Sequence, residues 1–333
     1  MKKSLFLAML AAALLGGQVF ADVNLTKLEG GILEGDMYIG VEDIDASGGK
    51  VIVSNSNDGS DMSDVEVIGG QGDESATGNT VIMTGGEVSR LTGGCCMYSV
   101  TGNVVIVAGD SKVGELVQGG LAIQGPSQDN KVHLVGNGAT ATIDDAQGIA
   151  AKYTGGKLSL NDVAAGGDGT EWSGNSVDIY GTGIDAGDLR NMQVLNFHIA
   201  NLDDGATPMI TLTEAYLDLT GFLVPTEENA SLDLALTFDA LDSMEWKPGA
   251  SVTLVNAGSG IKIDESLLGK EYNIYRNGDP DKTVLGTATL KLEQGEGTTK
   301  ILKLVTNGNV PEPTTGGLSL LALGLLAGRR RRH

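Results

Sequence analysis

Between Gly49 and Gly181 one short pattern keeps returning: a turn residue, often Asn, then x-Val-x-apolar-x, often closing on Gly. The clearest copies start at Asn79 (Thr80-Val81-Ile82-Met83), Asn103 (Val104-Val105-Ile106-Val107), Asn130 (Lys131-Val132-His133-Leu134) and Asn175 (Ser176-Val177-Asp178-Ile179). Looser copies start at Gly49 (Lys50-Val51-Ile52-Val53) and Gly156 (Lys157-Leu158-Ser159-Leu160). The six starts are separated by 30, 24, 27, 26 and 19 residues. A strand this short cannot bury its Val/Ile/Leu face alone. Stacking successive units ~4.8 Å apart gives each apolar side chain an equivalent neighbour above and below.

In that register Val81, Val105, Val132, Leu158 and Val177 form one predicted inward column, and Met83, Val107, Leu134, Leu160 and Ile179 a second. Asn bonds its own backbone, tolerates turn conformations and stacks into ladders, which accounts for its recurrence. The expected fold class is all-β: a right-handed parallel β-helix, or solenoid. The alternative is an antiparallel sandwich in which the Asn residues are unrelated turn caps. Composition agrees with many short strands and Gly-rich turns, since 50 of 333 residues are Gly and only 4% are aromatic.

Downstream the Asn signature fades but alternation continues, through Val194–Ile199, Pro208–Thr213, Ala215–Gly221, Ser231–Phe238 and Ser251–Val255. The order of strands over Leu195–Gly258 resembles autotransporter-type passenger domains, which implies a continuing β-solenoid on a cell surface. The outer-membrane barrel of that family has no counterpart in this chain. Glu271–Tyr275, Thr283–Leu292 and Thr299–Val305 then read as a C-terminal β-meander capping the open end of the stack. The one helix expected in the body is short, around Asp264–Leu268, and Thr306–Val310 is expected to be a spacer.

The two ends read as addresses. Lys2 and Lys3 precede the apolar run Leu5–Leu15, and Val19-Phe20-Ala21 places small residues at −3 and −1, so a signal helix with cleavage between Ala21 and Asp22 is expected. At the other end Pro311-Glu312-Pro313 is followed by an apolar run ending at Gly328 and by Arg329, Arg330, Arg331 and Arg332. From Thr314 to Gly328 a helix would span roughly 22 Å, short for a permanent anchor. The arginines mark the cytoplasmic side.

This tail resembles that of PEP-CTERM sorting proteins of Gram-negative bacteria. The resemblance implies transient insertion of a transmembrane sorting helix in the inner membrane. An exosortase then cuts near the triplet and releases the body to the cell surface or medium. Exosortase and a secretory signal peptidase are the implied processing partners. The chain therefore divides into a signal peptide (1–21), solenoid repeats (22–190), further strands and the meander (191–306), and the sorting tail (307–333).

Without the terminal basic residues, 16 Lys and Arg face 43 acids, a net charge near −27. Such a surface repels nucleic acid and anionic lipid, so neither is expected as a partner. Cys95-Cys96 sit too close along the chain for an unstrained disulfide and point to opposite faces of a strand, so a structural or incidental role is expected, with a strained vicinal disulfide or an intermolecular bridge as the alternatives. His133 and His198 are isolated in sequence and read as strand residues rather than zinc ligands. Asp58–Asp64, and Asp279 with Asp281, look superficially like calcium loops but lack the spacing of known ones. Gly181-Thr182-Gly183 with Gly187 is a poor dinucleotide loop. No catalytic, cofactor-binding or metal residues are assigned.

These features favour an exported, non-enzymatic structural or adhesive protein, with an extracellular polysaccharide as a further partner. The rivals are a polysaccharide-degrading β-helix enzyme and a calcium-dependent matrix binder.

Overall fold

The structure, a computed structural model, describes residues 26–55, 59–167, 171–200, 207–213, 217–219, 235–240, 248–263, 265–279 and 281–309. Ala21, Asp22, Pro311–Pro313 and Arg329–Arg332 lie outside the described residues, as do the expected signal and sorting helices. Among the described residues no helix is long and apolar enough to cross a membrane. The described body is nearly all β, and 25 of its strands belong to one hydrogen-bonded system that does not close on itself.

Most pairing within that system is parallel and falls into three ladders. The first runs from Lys50–Asn55 through Thr80–Met83, Val104–Val107, Lys131–Val135, Ser176–Tyr180, Val194–Ile199 and Ala235–Ala240 to Glu271–Arg276. The second starts with Met37–Ser47, Glu66–Thr77, Gly86–Cys96, Gly109–Ala122 and Ala150–Ala164. It continues through Ile184–Ala186 and Ile210–Leu212 to Ser251–Ala257. A narrow third ladder pairs Ala46, Ala76, Val100, Ser127 and Trp172.

From Lys50 to Tyr180 the chain visits first, second and third ladder in that order, then turns through an Asn before the next visit. Alternation explains the core. Val51, Val81, Val105, Val132, Val177 and Leu195 are register partners along the first ladder, and so are Val53, Met83, Val107, Leu134, Ile179 and Phe197. All twelve are fully buried. Opposite them Val67, Leu91, Val117 and Val163 form the matching column of the second ladder. Each such side chain removed from water contributes roughly 1.5–3 kcal/mol before entropy is counted.

Several expectations need correction. Leu158 and Leu160 do not join the columns of Val132 and Val177. Lys131–Val135 pairs directly with Ser176–Tyr180, while Leu158 pairs with Ser111 and Ile184 on the second ladder. Two-residue alternation cannot say which ladder a strand joins. The skipped length is taken up by an antiparallel hairpin of Thr140–Asp144 against Ala150–Thr154. The first ladder also continues past Gly181 without its Asn, through Leu195 and Leu236. The helix expected at Asp264–Leu268 is one 3-10 turn, Glu265–Leu267. The expected spacer from Thr306 is strand as far as Asn309.

Both ends are covered by antiparallel pairing. Thr26–Glu29 lies on Lys50–Asn55, and Ile32–Glu34 on the start of Met37–Ser47. At the other end Glu271–Arg276, Val284–Gln294 and Lys300–Asn309 run antiparallel in sequence. The last of these also pairs with Ser251–Ala257, so the hairpin ties the end of the first ladder to that of the second.

Candidate functional site

The recurring Asn residues form a buried ladder. The side-chain oxygen of Asn103 accepts from the backbone N–H of Asn79 (2.9 Å) and from its Nδ2 (3.0 Å). Asn130 does the same for Asn103, and Asn175 for Asn130. Each Nδ2 also donates to a backbone carbonyl of the third ladder or the strand end leading to it: Ala46, Ala76, Val100 and Ser127. The ladder ends on the amide of Gly49 at one side and on Gln193 Oε1 at the other. The four Asn are fully buried, so satisfied hydrogen bonding is what allows them to be there. Space for them comes from glycine: a Cβ on Gly70 would lie 2.4 Å from the Asn79 side chain, and one on Gly94 2.7 Å from that of Asn103. Sequence reading found the Asn residues but missed the Gly-Gly pairs and Gln193.

The outward face of the first ladder changes chemistry along its length. Ile82 and Ile106 are covered by the 140–154 hairpin, with Ala141, Ile143 and Tyr153 packed in the same apolar cluster. The hairpin tip is anchored by Asp145, which accepts from Lys50 Nζ at 2.7 Å and from the amides of Gln147 and Ile149. Burial works against the ionised Asp145, yet Lys50 and these amides hold its carboxyl below the usual range.

Past the hairpin the register partners of Ile106 become His133, Asp178, Asn196 and Thr237, and the neighbouring column reads Val135, Tyr180, His198, Asp239. His198 bridges Asp239 (Nδ1, 2.7 Å) and Asp178 (Nε2, 3.1 Å). Tyr180 stacks on its ring at 3.8 Å between centroids. Asn196 Nδ2 and Ser176 Oγ complete the shell of Asp178. Burial disfavours the charged forms of both groups, but their mutual contacts override it. His198 is raised to about 9 and Asp178 lowered to about 2. Burial pushes His133 down, so it stays neutral beside Tyr180. With both nitrogens donating, the His198 imidazolium has no lone pair with which to abstract a proton. The two histidines that look isolated in sequence thus share one carboxylate, Asp178.

Asp239 also lines an open cavity of about 460 Å³ at the end of the ladder, with Asn196, Thr237, Tyr275, Arg276 and Lys282. Other motifs resolve into local structure. Cys95 and Cys96 are free thiols on opposite faces of one strand, Cys95 half-buried and raised to about 11 by burial, Cys96 buried. Asp61 caps the amide of Ser63, and Asp279 those of Asp281 and Thr283; Asp58 lies outside the described residues. Gly187 N donates to the Asn161 carbonyl, and Gly183 N to that of Pro208, as strand connections. Among the described residues no three His, Cys, Asp or Glu converge as a metal site.

No curated protein and no solved structure matches this chain. Residues 309–332, which hold Pro311-Glu312-Pro313 and the four terminal arginines, match the PEP-CTERM protein-sorting motif, the mark of an exported protein sorted by an exosortase.

Proposed function

We propose that this chain is a non-enzymatic structural or adhesive protein of a Gram-negative cell surface or extracellular matrix, delivered there through its C-terminal tail. The observation carrying the delivery half is the sorting motif at 309–332. The body reading is a right-handed parallel β-helix, similar to autotransporter-type passengers. Its support is the in-register parallel stacking of Val81, Val105, Val132 and Val177, with the Asn ladder at the turn.

A rod of this kind works through area. Its long acidic faces offer many weak polar contacts to an extracellular polysaccharide rather than one deep pocket. The non-enzymatic reading draws on His198, whose two nitrogens are both engaged, and on Asp178, which is buried beneath it.

Deleting Pro311–Pro313 tests the assignment in cells. The expected result is precursor trapped in the inner membrane. Normal release of the deleted form would refute it.

A further inference from the structure

The polar outward face of the first ladder ends in the open cavity of about 460 Å³, within the ~300–1,000 Å³ that small-molecule sites occupy. Its floor is made by strand register. Asn196 pairs with Thr237, and His198, Asp239 and Tyr275 follow one another on successive strands. The flanking Leu195, Phe197, Phe238 and Ile274 are buried, so alternation turns the polar members outward. Its wall is the turn after Tyr275, which brings Arg276 and Lys282 to the cavity.

These groups are held in place by the fold itself. Asp239 Oδ1 accepts from His198 Nδ1 at 2.7 Å, and His198 is fixed in turn by Asp178 and stacked on Tyr180. Thr237 Oγ1 donates to Asn196 Oδ1, whose Nδ2 donates to Asp178 at 2.7 Å. The turn is fixed by Asp279, which accepts from the amides of Asp281 (2.9 Å) and Thr283 (3.3 Å). Lys282 has a φ of 50°, a left-handed conformation uncommon for a residue with a side chain. Glycine would fit that backbone without strain, so what the lysine supplies is its ammonium at the rim.

Charge and the mix of groups decide what fits. At the cavity Asp239 and Asp279 balance Arg276 and Lys282, on a body whose residues 22–259 carry nine Lys and Arg against thirty-five Asp and Glu. An anionic ligand gains nothing from that lining and is repelled by the body. A neutral polyol meets neither obstacle. Sugar hydroxyls donate and accept at once, which suits a carboxylate and two cationic donors around one space. The C–H face of a sugar ring packs on a tyrosine ring.

We propose that the cavity is a subsite for a neutral sugar unit of an extracellular polysaccharide. Asp239 accepts from its hydroxyls, Arg276 and Lys282 donate to them, and Tyr275 carries the ring. The open side admits an internal unit of a polymer. The proposal rests on the adhesive reading above and adds one specific contact to its many weak ones.

Affinity electrophoresis of the protein recovered from the producing cells tests it, in native gels cast with neutral dextran, mannan or galactan, or with alginate, a polyuronate. Mobility is referred to a gel without polymer. At least one neutral polymer should retard the wild type. Tyr275→Ala and Lys282→Gly should each raise the dissociation constant at least ~5-fold. Lys157→Ala, elsewhere on the body, should leave it unchanged. Lys282→Gly suits the φ at its position, and thermal melting checks that each variant folds. Equal retardation of the wild type and both cavity variants would overturn the subsite and leave the adhesive reading standing. Retardation by alginate alone would overturn the neutral ligand class. No retardation by any polymer would overturn the subsite and the adhesive reading together.

Discussion

The side-chain oxygen of Asn130 accepts two hydrogen bonds from Asn103, one from its backbone N–H at 3.1 Å and one from its Nδ2 at 2.9 Å. Every internal member of the ladder repeats this relation, so each Asn is both cap and cross-link between successive turns. Replacing Asn103 by Ala would strand the backbone N–H of Asn79, leave its Nδ2 only the Ala46 carbonyl, take the Nδ2 donor from the Ala76 carbonyl, and leave Asn130 Oδ1 only the backbone N–H of residue 103. The expected loss is about 2–5 kcal/mol, read as a lower denaturation midpoint. Asn103→Asp should cost more, because it keeps the acceptor but loses both donors and buries a charge.

The glycine opposite that ladder is a second test. Gly94→Ala places a methyl 2.7 Å from the Asn103 side chain, which has hydrogen-bonded neighbours above and below and nowhere to retreat. A destabilisation of about 1–3 kcal/mol is expected. Thermal unfolding of the variant at the wild-type temperature would contradict the close approach.

The His198 cluster gives a pH signature. Its folded-state value is raised from 6.5 to about 9, so its contribution is complete below pH 6.5 and is lost as pH rises through 9. Asp178 is lowered from 3.8 to about 2, so its contribution is complete above 3.8 and is lost as pH falls through 2. The same contacts produce both shifts and are one stabilisation seen from two sides. Wild type minus His198→Gln stability, measured by urea denaturation, should therefore shrink between pH 6.5 and 9. A pH-independent difference across that window would contradict the ion pairing.

The hairpin over Ile82 and Ile106 should loosen when its anchor is removed. Lys50→Ala leaves the Asp145 carboxylate with only backbone donors, at a cost of about 1–2 kcal/mol. Hydrogen exchange should quicken over 140–154 while the first ladder stays protected. Uniform protection in the variant would show that the ion pair does not hold the hairpin.

The stacking of the repeats was legible because burial on one face forces Val81, Val105, Val132 and Val177 into equivalent positions. What failed was local pattern without a partner: Leu158 and Leu160 carry the same alternation yet belong to the second ladder. Strands lacking the Asn, such as Val194–Ile199, still join the first ladder, with Leu195 and Phe197 continuing its two buried columns and Gln193 Oε1 accepting the backbone N–H of Asn175. The polar cluster had one signal in the sequence. The third residue after Asn is Ile82 and Ile106 in early repeats but His133 and Asp178 in later ones. Alternation told which side those residues face; it could not tell that His198 and Asp239 arrive beside them from the next strands.

Delivery is the centre of the account, and intact-mass measurement of the protein recovered from the cell surface and medium tests it most directly. The expected species begins at Asp22 and ends near Pro313, without Arg329–Arg332. A full-length chain in the medium, arginines included, would contradict it.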